Sequence, residues 1–499
     1  MRDYYKKIAN FAASRKFFYT IVVLMLIEGC WIALSSRYPM AFDEAFHLGA
    51  IKLYAQHISP WWNGQPIDAD VLGAISRDPS YIYHWLMSFP YRLINEVFHD
   101  TIRQVIVLRL INVAIFACGL FVCRKLLLKA TSSNALVNLA LLFLVLTPVI
   151  PSLAGQINYD NLLFVLVPSA LLLALLFVEQ LRDKKQFNLR LLGSLSVLCL
   201  LTSLVKYAFL PIFLVIASFV LFSIYKTYRA SNRHLGKDLK IGYNSLSRLS
   251  KISLAVGLVL SSIIFLERYG MNAIRYHTPL PECNQVLSID RCQSYGPWKR
   301  NHDILRSKGQ PYSGTVHFTT LTFAQHWIYV LYRSLFYVLN GPDSSYTVGE
   351  PLLLPAKIAV LVFGAGLSCL VGYWRQIFRS NYARILLAGT VVVYAGVLWL
   401  QNYADYLHLG QPVALQGRYL VPILAPLNLL IGIAIARATK SYKKAQVILA
   451  AVVIFLFLQG GGIVTFIVRS DDTWYIDNSR SVHVNRVVQP TVKQLVIGE

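Results

Sequence analysis

Residues 17–49 read FFYTIVVLMLIEGCWIALSSRYPMAFDEAFHLG, an apolar run followed by two adjacent carboxylates. The run predicts a helix over 17–36, close to the roughly 20 residues that a bilayer span needs. Asp43, Glu44 and His47 follow where such a helix would leave the lipid. Ionisable groups at that position are costly to place and indicate a functional site. The stretch therefore predicts a membrane helix that ends at a polar cluster.

The composition of the chain is that of a polytopic membrane protein. Its 499 residues are 56% hydrophobic and 14% charged, with a mean hydropathy of +0.51, whereas soluble domains carry about 25% charged residues. A net charge of +23 would suggest nucleic acid in a soluble protein. In a membrane protein, cationic loops set orientation and contact anionic lipid, which disfavours nucleic-acid binding. The sequence has no N-x-[ST] sequon, which favours a bacterial or archaeal origin.

Hydropathy predicts an all-α polytopic membrane protein with about eleven spans. The predicted spans lie near 17–36, 105–123, 134–152, 161–179, 190–205, 208–225, 252–267, 355–373, 384–401, 419–436 and 445–467. With this count, the N-terminus and all the strongly basic connections fall on one side, as the positive-inside rule requires. The N-terminus is then predicted to be cytoplasmic, and the long connections are predicted to lie outside.

The residues 1–499 are predicted to form one membrane domain with three outer segments: the loop 37–104 with the carboxylates, the loop 267–355 and the tail 470–499. Aromatic segments at 79–98 and 318–339 predict helices lying in the membrane interface, where Trp and Tyr are favoured. Cys283 and Cys292, nine positions apart in the second loop, predict a disulfide. Zinc is the weaker alternative, because only two thiols are local and no His lies between them.

The Asp43-Glu44 pair is the strongest candidate for chemistry. A hydroxyl nucleophile needs a base within hydrogen-bond reach, and a carboxylate at the membrane surface can supply one. Because adjacent side chains point in different directions, Asp43 could act as the base while Glu44 supports it. The alternative is that Asp43 caps the helix that follows. His47 and Lys52 on that helix are candidate binding residues.

Three further segments carry candidate binding residues. Tyr81 and His84 could bind a phosphate or a sugar hydroxyl, or could belong to a belt of interfacial aromatics. Asn158 and Asp160 could line the same cavity or cap the fourth span. Lys206, between two short spans, could pair with a lipid phosphate or extend to the headgroups.

The segment Gln416-Gly-Arg-Tyr419 opens a late span on the predicted outer side. Arg418 opposes the positive-inside trend there, and its guanidinium suits a phosphate because it stays charged and donates a fork of hydrogen bonds. An internal salt bridge is the alternative. Gln416 and Tyr419 are candidate binding residues beside it. The sequence contains no P-loop, GxGxxG or HExxH pattern.

Four motifs together resemble the GT-C superfamily of polytopic glycosyltransferases. They are Asp43-Glu44…His47, Asp78-Pro-Ser-Tyr-Ile-Tyr-His84, Asn158-Tyr-Asp160 and Gln416-Gly-Arg-Tyr419. The dolichyl-phosphate-mannose-protein mannosyltransferase and aminoarabinose-lipid transferase branch is the most similar well-described group. The chain also resembles bacterial multispan proteins of unknown function in that superfamily. The second segment departs from a Pro-Pro pattern, since Ser80 follows Pro79.

This resemblance implies an inverting glycosyltransferase that takes a sugar from a polyprenyl-phosphate carrier on the outer face of the membrane. The aspartate in the first outer loop of such enzymes is the base, which maps onto Asp43. The acceptor would be a glycan, a lipid or a protein of the cell envelope. No cofactor is implied with certainty, and a divalent cation stays open. The expected location is a bacterial inner or plasma membrane.

Two other classes of membrane protein fit parts of the sequence. A transporter or flippase would place acidic residues inside the bilayer and break paired spans near its midplane. In this sequence the charged residues deep in spans are Arg109 and Glu28, while the other acidic residues collect at the predicted outer mouth. A polymerase or ligase of lipid-linked saccharides would use the same face, with arginine-rich outer loops in place of an early carboxylate pair.

Overall fold

The protein is almost entirely helical over the residues that the structure describes. The computed structural model describes residues 2–41, 43–183, 186–230, 234–308, 317–336, 354–379, 381–440, 443–477 and 480–496. Within these ranges there is no β-strand, and one isolated bridge pairs Ser36 with Tyr475. The prediction of an all-α polytopic architecture is confirmed at this level.

The helices are numbered in chain order. The first twelve are α1 (Arg2–Ala13), α2 (Arg15–Ser35), α3 (Glu44–Ala55), α4 (Ile82–Val97), α5 (Thr101–Ala130), α6 (Asn134–Val145), α7 (Val149–Ala154), α8 (Tyr159–Arg182), α9 (Leu189–Val205), α10 (Leu210–Arg229), α11 (Leu235–Asn244) and α12 (Arg248–Phe265). The others are α13 (Met271–Tyr276), α14 (Cys283–Val286), α15 (Ile289–Cys292), α16 (Gly296–Ser307), α17 (Thr320–Phe336), α18 (Leu354–Gly372), α19 (Trp374–Phe378), α20 (Tyr382–Leu409), α21 (Val421–Ala438), α22 (Lys443–Gly460), α23 (Ile463–Arg469) and α24 (Arg480–Val496).

Nine helical segments within the described ranges are long and apolar enough to cross a bilayer. They are Arg15–Ser35, Thr101–Ala130, Tyr159–Arg182, Tyr207–Arg229, Arg248–Tyr276, Leu354–Gly372, Tyr382–Leu409, Gly417–Ala438 and Gln446–Arg469. They coincide with nine of the eleven predicted spans. The other two predicted spans correspond to α6 and α9, which are apolar but shorter. An integral membrane protein is therefore supported, and the count of eleven stays a prediction.

The centre of the bundle is the pair α5 and α8, which run parallel, as the contacts Asn112–Asn161 and Lys129–Glu179 show, with α2, α9 and α21 around it. Phe116 and Phe164 stack across this pair with ring centroids 4.1 Å apart. Gly119 permits the approach, because a Cβ atom there would lie 2.5 Å from the Phe164 ring. By contrast, the segment Arg248–Tyr276 is only 6% buried within the protein over its most apolar window. Its apolar surface is suited to lipid.

The alternation of helix direction brings several helix ends together at one end of the bundle. Helix α2 ends at Ser35, α8 begins at Tyr159, and α9 ends at Val205 immediately before Lys206. The short 3₁₀ turn Gly417–Leu420 precedes α21 at the same end and packs against α7. This convergence places candidate residues from distant parts of the sequence side by side.

The two long loops predicted to lie outside also meet at this end. The predicted interfacial helices over 79–98 and 318–339 correspond to α4 and α17, and residues 337–339 lie outside the described residues. Cys283 and Cys292 form a disulfide with Cα atoms 5.8 Å apart. Arg291 next to that bond donates two hydrogen bonds of 2.7 Å to Asp70 in the first loop. The disulfide-bonded segment is thereby tied to the loop that carries Asp43.

Two predicted segments are only partly described. The described part of the tail predicted over 470–499 contains α24, which packs against α22 and α23. Residues 478–479 and 497–499 lie outside the described ranges. The loop predicted over 267–355 likewise includes 309–316 and 337–353, which lie outside them.

Candidate functional site

The Asp43 carboxylate and the Arg418 guanidinium form an ion pair at the converging helix ends. Oδ2 of Asp43 lies 2.6 Å from Nη2 of Arg418, and the residues are 375 positions apart in sequence. The Arg418 side chain is 3% exposed, whereas that of Asp43 is 58% exposed. The pair therefore consists of a buried cation and a carboxylate that remains accessible from outside. The alternative of an internal salt bridge at Arg418 is realised in this state of the protein.

The backbone at Asp43 explains why its side chain does not cap α3. Asp43 occupies the position before the helix with φ 68° and ψ 26°, in the left-handed region, and its side chain makes no capping hydrogen bond. A normal cap has an extended backbone, with its side-chain oxygen over the first turn. The left-handed turn directs the Asp43 side chain toward Arg418 instead. Side-chain capping, the alternative role for Asp43, is therefore absent, and its role as a base stays a prediction.

Glu44, the neighbouring carboxylate, is fully buried and anchors the start of α3. Arg109 of α5 donates to both of its oxygens, Nε to Oε1 at 2.8 Å and Nη2 to Oε2 at 2.7 Å. The backbone N–H groups of Met40 and Ile157 donate to the same carboxylate. Arg109 also donates to the Ser36 carbonyl oxygen at 2.6 Å. These contacts hold α2, α3, α5 and the entry to α8 together, so Glu44 supports the site and is closed to substrate.

A second ion pair lies beside the first. Nζ of Lys206 donates to Oδ1 of Asp160 at 2.6 Å, and both side chains are buried. The ammonium group also lies over two aromatic rings, 4.5 Å from the centroid of Tyr159 and 5.2 Å from that of Tyr419. The Arg418 guanidinium lies 5.3 Å from the same Tyr419 ring. Tyr419 therefore joins the two cations into one cluster.

Two histidines lie beneath the cluster and contact each other. Nδ1 of His47 and Nε2 of His84 are 2.9 Å apart, and both residues are buried. Burial lowers the pKa of His84 to about 3. Burial also lowers the pKa of His47, and the neighbouring groups His84, Arg418 and Lys206 lower it further. Both rings are therefore neutral near pH 7, and one ring donates its N–H to the unprotonated nitrogen of the other.

The remaining residues of the late and middle motifs position this cluster. Oδ1 of Asn158 accepts from the Asp160 N–H at 2.9 Å, so Asn158 caps α8. Gln416 precedes the turn Gly417–Leu420. Gly417 lies against α17, where a Cβ atom would be 2.4 Å from the Leu331 carbonyl oxygen. Only glycine fits at that approach, which fixes the position of the following Arg418.

Two of the predicted binding residues are not part of this cluster. The guanidinium of the buried Arg268 lies over the ring of Tyr81, with Cζ of Arg268 4.7 Å from the ring centroid. Arg268 in turn donates to the Pro60 carbonyl oxygen at 3.1 Å, within the first outer loop. Lys52 is half-buried in the last turn of α3, about one and a half turns beyond His47. The structure thus assigns Tyr81 to loop packing and places Lys52 away from the ion pairs.

The structure adds residues that sequence reasoning did not select. The ring of Tyr159 lies between Lys206 and His47. The ring centroids of Tyr159 and His47 are 4.6 Å apart. Tyr295 packs against Gly73 and Phe46 from the disulfide-bonded segment. Burial raises the pKa of the Tyr295 hydroxyl, and the carboxylates of Asp78 and Asp43 raise it further. A second carboxylate, Asp78, therefore lies near the same tyrosine as Asp43.

The chemistry open to this arrangement follows from its charges. Each buried cation is matched by one carboxylate, so an added anion must compete with Asp43 or Asp160. Asp43 is the more readily displaced of the two, because it is largely exposed and Asp160 is buried. Within the described residues, no group of three or more His, Cys, Asp or Glu side chains could hold a metal ion. The cluster is suited to binding one anionic group beside one accessible base.

Comparison with known proteins adds no family assignment. No protein-family model matches the sequence, and no curated protein matches it significantly.

Proposed function

We propose that the protein is a membrane glycosyltransferase that moves a sugar from a polyprenyl-phosphate-linked donor to a hydroxyl acceptor. The site lies where α2 and α9 end and α8 begins, next to loops predicted to face the outside of the membrane. Asp43 is the general base, and Arg418 and Lys206 hold the donor phosphate. The acceptor is a glycan, a lipid or a protein.

The observation that carries this proposal is the contact of an exposed carboxylate with a buried guanidinium. Asp43 is 58% exposed and lies 2.6 Å from Arg418, which is 3% exposed. A guanidinium held in a fixed orientation at the surface of a membrane protein suits a phosphate, since it offers a planar fork of donors. A carboxylate next to that phosphate is then close to the anomeric carbon of the sugar, to which the phosphate is bonded.

The pairing of Asp43 with Arg418 gives the base a resting state. In the pair, the Asp43 oxygen that accepts from Arg418 is engaged with the guanidinium and is not available to the proton of a hydroxyl. A donor phosphodiester carries one negative charge and can replace Asp43 at Arg418. Its arrival would release Asp43 to contact an acceptor hydroxyl. Asp43 therefore becomes an effective base only when the donor is bound.

The transfer step balances in atoms and charge. Asp43 accepts the proton of the acceptor hydroxyl. At the same time the acceptor oxygen forms a bond to the anomeric carbon, from the side opposite the phosphate. The bond from that carbon to the phosphate oxygen breaks, and the phosphate leaves with a second negative charge. Arg418 and Lys206 stabilise this added charge in a site of low dielectric. The phosphate is a good leaving group, so no separate strong acid is required.

Asp160 offers a contact for the transferred sugar. Its Oδ1 is bonded to Lys206, while its Oδ2 is buried and has no hydrogen-bond partner among the described residues. A buried acceptor without a donor costs free energy, which a ligand hydroxyl can recover. A sugar hydroxyl donating to Oδ2 would hold the ring beside the phosphate site.

The experiment that tests this function is incubation of the purified protein with a panel of polyprenyl-phosphate sugars. The readout is the release of free polyprenyl phosphate in the presence of hydroxyl acceptors. Release from at least one donor, and none with Arg418→Met, is the expected result. Transport of intact lipid-linked sugar across vesicles without release would favour a flippase instead.

A further inference from the structure

A polar pocket lies far from the Asp43 cluster. It has a volume of about 350 Å³ and lies between the segment before α9 and the segment joining α11 to α12. Its polar lining comprises Gln186, Asn188, Arg190, Ser245, Ser247 and Ser250. Helix α9 has 17 residues, so its two ends are about 25 Å apart. The pocket is therefore at the opposite end of the bundle from Lys206.

Helix α11 contributes Gly242 to the lining of this pocket. It connects the spans that end at Arg229 and begin at Arg248. Gly242 fastens it to the bundle, since a Cβ atom there would be 2.9 Å from the Phe187 carbonyl oxygen. The Tyr228 hydroxyl also donates to Asp238 at 2.6 Å. The helix is thus held beside the pocket by its own contacts with α10 and the start of α9.

Three apolar side chains of α11 lie on one side of the helix. At 100° per residue, Leu235, Leu239 and Tyr243 fall within one arc, Lys237 and the exposed Ile241 fall on the opposite side, and Lys240 falls between the two sides. The three apolar side chains are 40%, 37% and 53% exposed in the protein. An exposed apolar arc on a surface helix between two spans is suited to the acyl region of a leaflet.

The charge around the pocket is strongly positive. From residue 226 to residue 251 the only acidic residue in the sequence is Asp238, and the basic ones are Lys226, Arg229, Arg233, Lys237, Lys240, Arg248 and Lys251. Arg190 adds a cation to the lining of the pocket itself. An excess of cations next to a membrane attracts anionic headgroups at close range.

We propose that this pocket binds the headgroup of an anionic phospholipid. The phosphate lies among Arg190 and the serine hydroxyls, and the acyl chains lie along the apolar arc of α11. The lipid is part of the surrounding leaflet and is distinct from the donor proposed for the Asp43 site. The polar pocket lies beside an apolar helix face and a strongly basic segment. A loop that only carries positive charge would not need a pocket or an apolar face at the same place.

The test compares lipid retention by the full-length protein. The protein is reconstituted in nanodiscs with equal amounts of phosphatidylglycerol and phosphatidylcholine, extracted in mild detergent and examined by native mass spectrometry. The wild type should retain one phosphatidylglycerol in preference to phosphatidylcholine. The variant Arg190→Gln/Lys237→Gln/Lys240→Gln should lower this preference roughly 100-fold, since each cation near an anionic surface accounts for about fivefold.

Matched variants separate the pocket from general charge. Arg375→Gln/Arg379→Gln/Lys440→Gln removes three exposed cations at the same end of the bundle and should keep the wild-type preference. Leu235→Ser/Leu239→Ser leaves the charge unchanged and should weaken retention of phosphatidylglycerol. All variants are first compared with the wild type by thermal unfolding, and only those that unfold at similar temperatures are scored.

Three results would overturn the proposal. Equal losses in the two charge variants would show that bulk charge alone attracts the lipid. Equal retention of both lipids by the wild type would show that there is no anionic site. Displacement of the lipid by inorganic phosphate, but not by sodium chloride of the same ionic strength, would assign the pocket to a free anion.

Discussion

Nη2 of Arg418 lies 2.6 Å from Oδ2 of Asp43, and the arginine is buried while the aspartate is largely exposed. This contact joins the loop between α2 and α4 to the 3₁₀ turn before α21. It also means that the candidate base, Asp43, is held by Arg418, the group proposed to bind the donor phosphate. The consequences for binding, stability and pH dependence are distinct and can be measured separately.

Removing the charge of Asp43 should strengthen the binding of polyprenyl phosphate. In Asp43→Asn, the phosphate no longer competes with a carboxylate for Arg418, so the affinity should rise about tenfold, which corresponds to about 1.4 kcal/mol. Titration calorimetry with polyprenyl phosphate alone measures this. Arg418→Lys keeps the charge but loses the planar fork, and its affinity should fall below that of the wild type. Unchanged affinity in Asp43→Asn would mean that the phosphate does not bind at Arg418.

Breaking the buried Glu44–Arg109 pair should destabilise the protein strongly. Glu44→Ala leaves the Arg109 guanidinium buried without its carboxylate, which costs about 3–5 kcal/mol. Asp43→Ala is the matched comparison. It also removes a carboxylate from a buried guanidinium, but it breaks one hydrogen bond where Glu44→Ala breaks four, so it should cost clearly less. Thermal unfolding in detergent compares the two neighbours directly. Similar unfolding temperatures for the two variants would contradict the division between a structural Glu44 and an accessible Asp43.

The stability of the protein should fall in acid through the histidine pair. Burial lowers the pKa of His84 to about 3, and the pKa of His47 is lowered as well. In the unfolded chain a histidine has a pKa of about 6.5. Between these values the unfolded chain binds more protons than the folded one, so stability decreases as the pH falls from about 6.5 toward 3.

Unfolding temperatures across this pH range test the assignment. The double variant His47→Asn/His84→Gln should show a shallower dependence on pH than the wild type. His57 is exposed, and His57→Gln serves as the control that should keep the wild-type slope. A double variant that keeps the wild-type slope would show that other groups cause the loss of stability in acid.

The close approach at Gly417 predicts a position-specific effect of an added methyl group. In Gly417→Ala, the new Cβ atom would lie 2.4 Å from the Leu331 carbonyl oxygen, so the turn or α17 must move. We expect a loss of about 1–3 kcal/mol together with weaker binding of polyprenyl phosphate, because Arg418 is the next residue. Gly432→Ala on α21 is the control, since its Cβ atom would meet Leu136 at an ordinary 3.8 Å. Equal behaviour of the two variants would argue against the close contact.

The sequence was sufficient to predict the helical membrane architecture and most members of the cluster. Hydropathy marks spans directly, because a helix in lipid must be long and apolar. Charges at span ends are rare and costly, which allowed the four charged residues of the two ion pairs to be chosen as site candidates: Asp43, Asp160, Lys206 and Arg418. Each of these residues could be chosen from its local surroundings alone.

The pairing of these residues could not be predicted from the sequence. Asp43 and Arg418 are 375 positions apart, and their contact depends on the packing order of the helices between them. Arg109 was conspicuous as a cation deep in a span, but its pairing with Glu44 was not predicted. The left-handed backbone at Asp43 separates the two carboxylates, and no residue pattern near it indicates that conformation. Tyr295 has no periodic signal and reaches the site through the disulfide-bonded segment.

The most direct test of the account is the transfer rate of Asp43→Asn with the donor sugar that the wild type accepts. The measurement is release of free polyprenyl phosphate under saturating donor and acceptor. The predicted result is a fall of about 10²–10⁴-fold, the usual contribution of a general base, in a protein that folds normally and still binds the carrier. A rate for Asp43→Asn close to that of the wild type would contradict the assignment of Asp43 as the base.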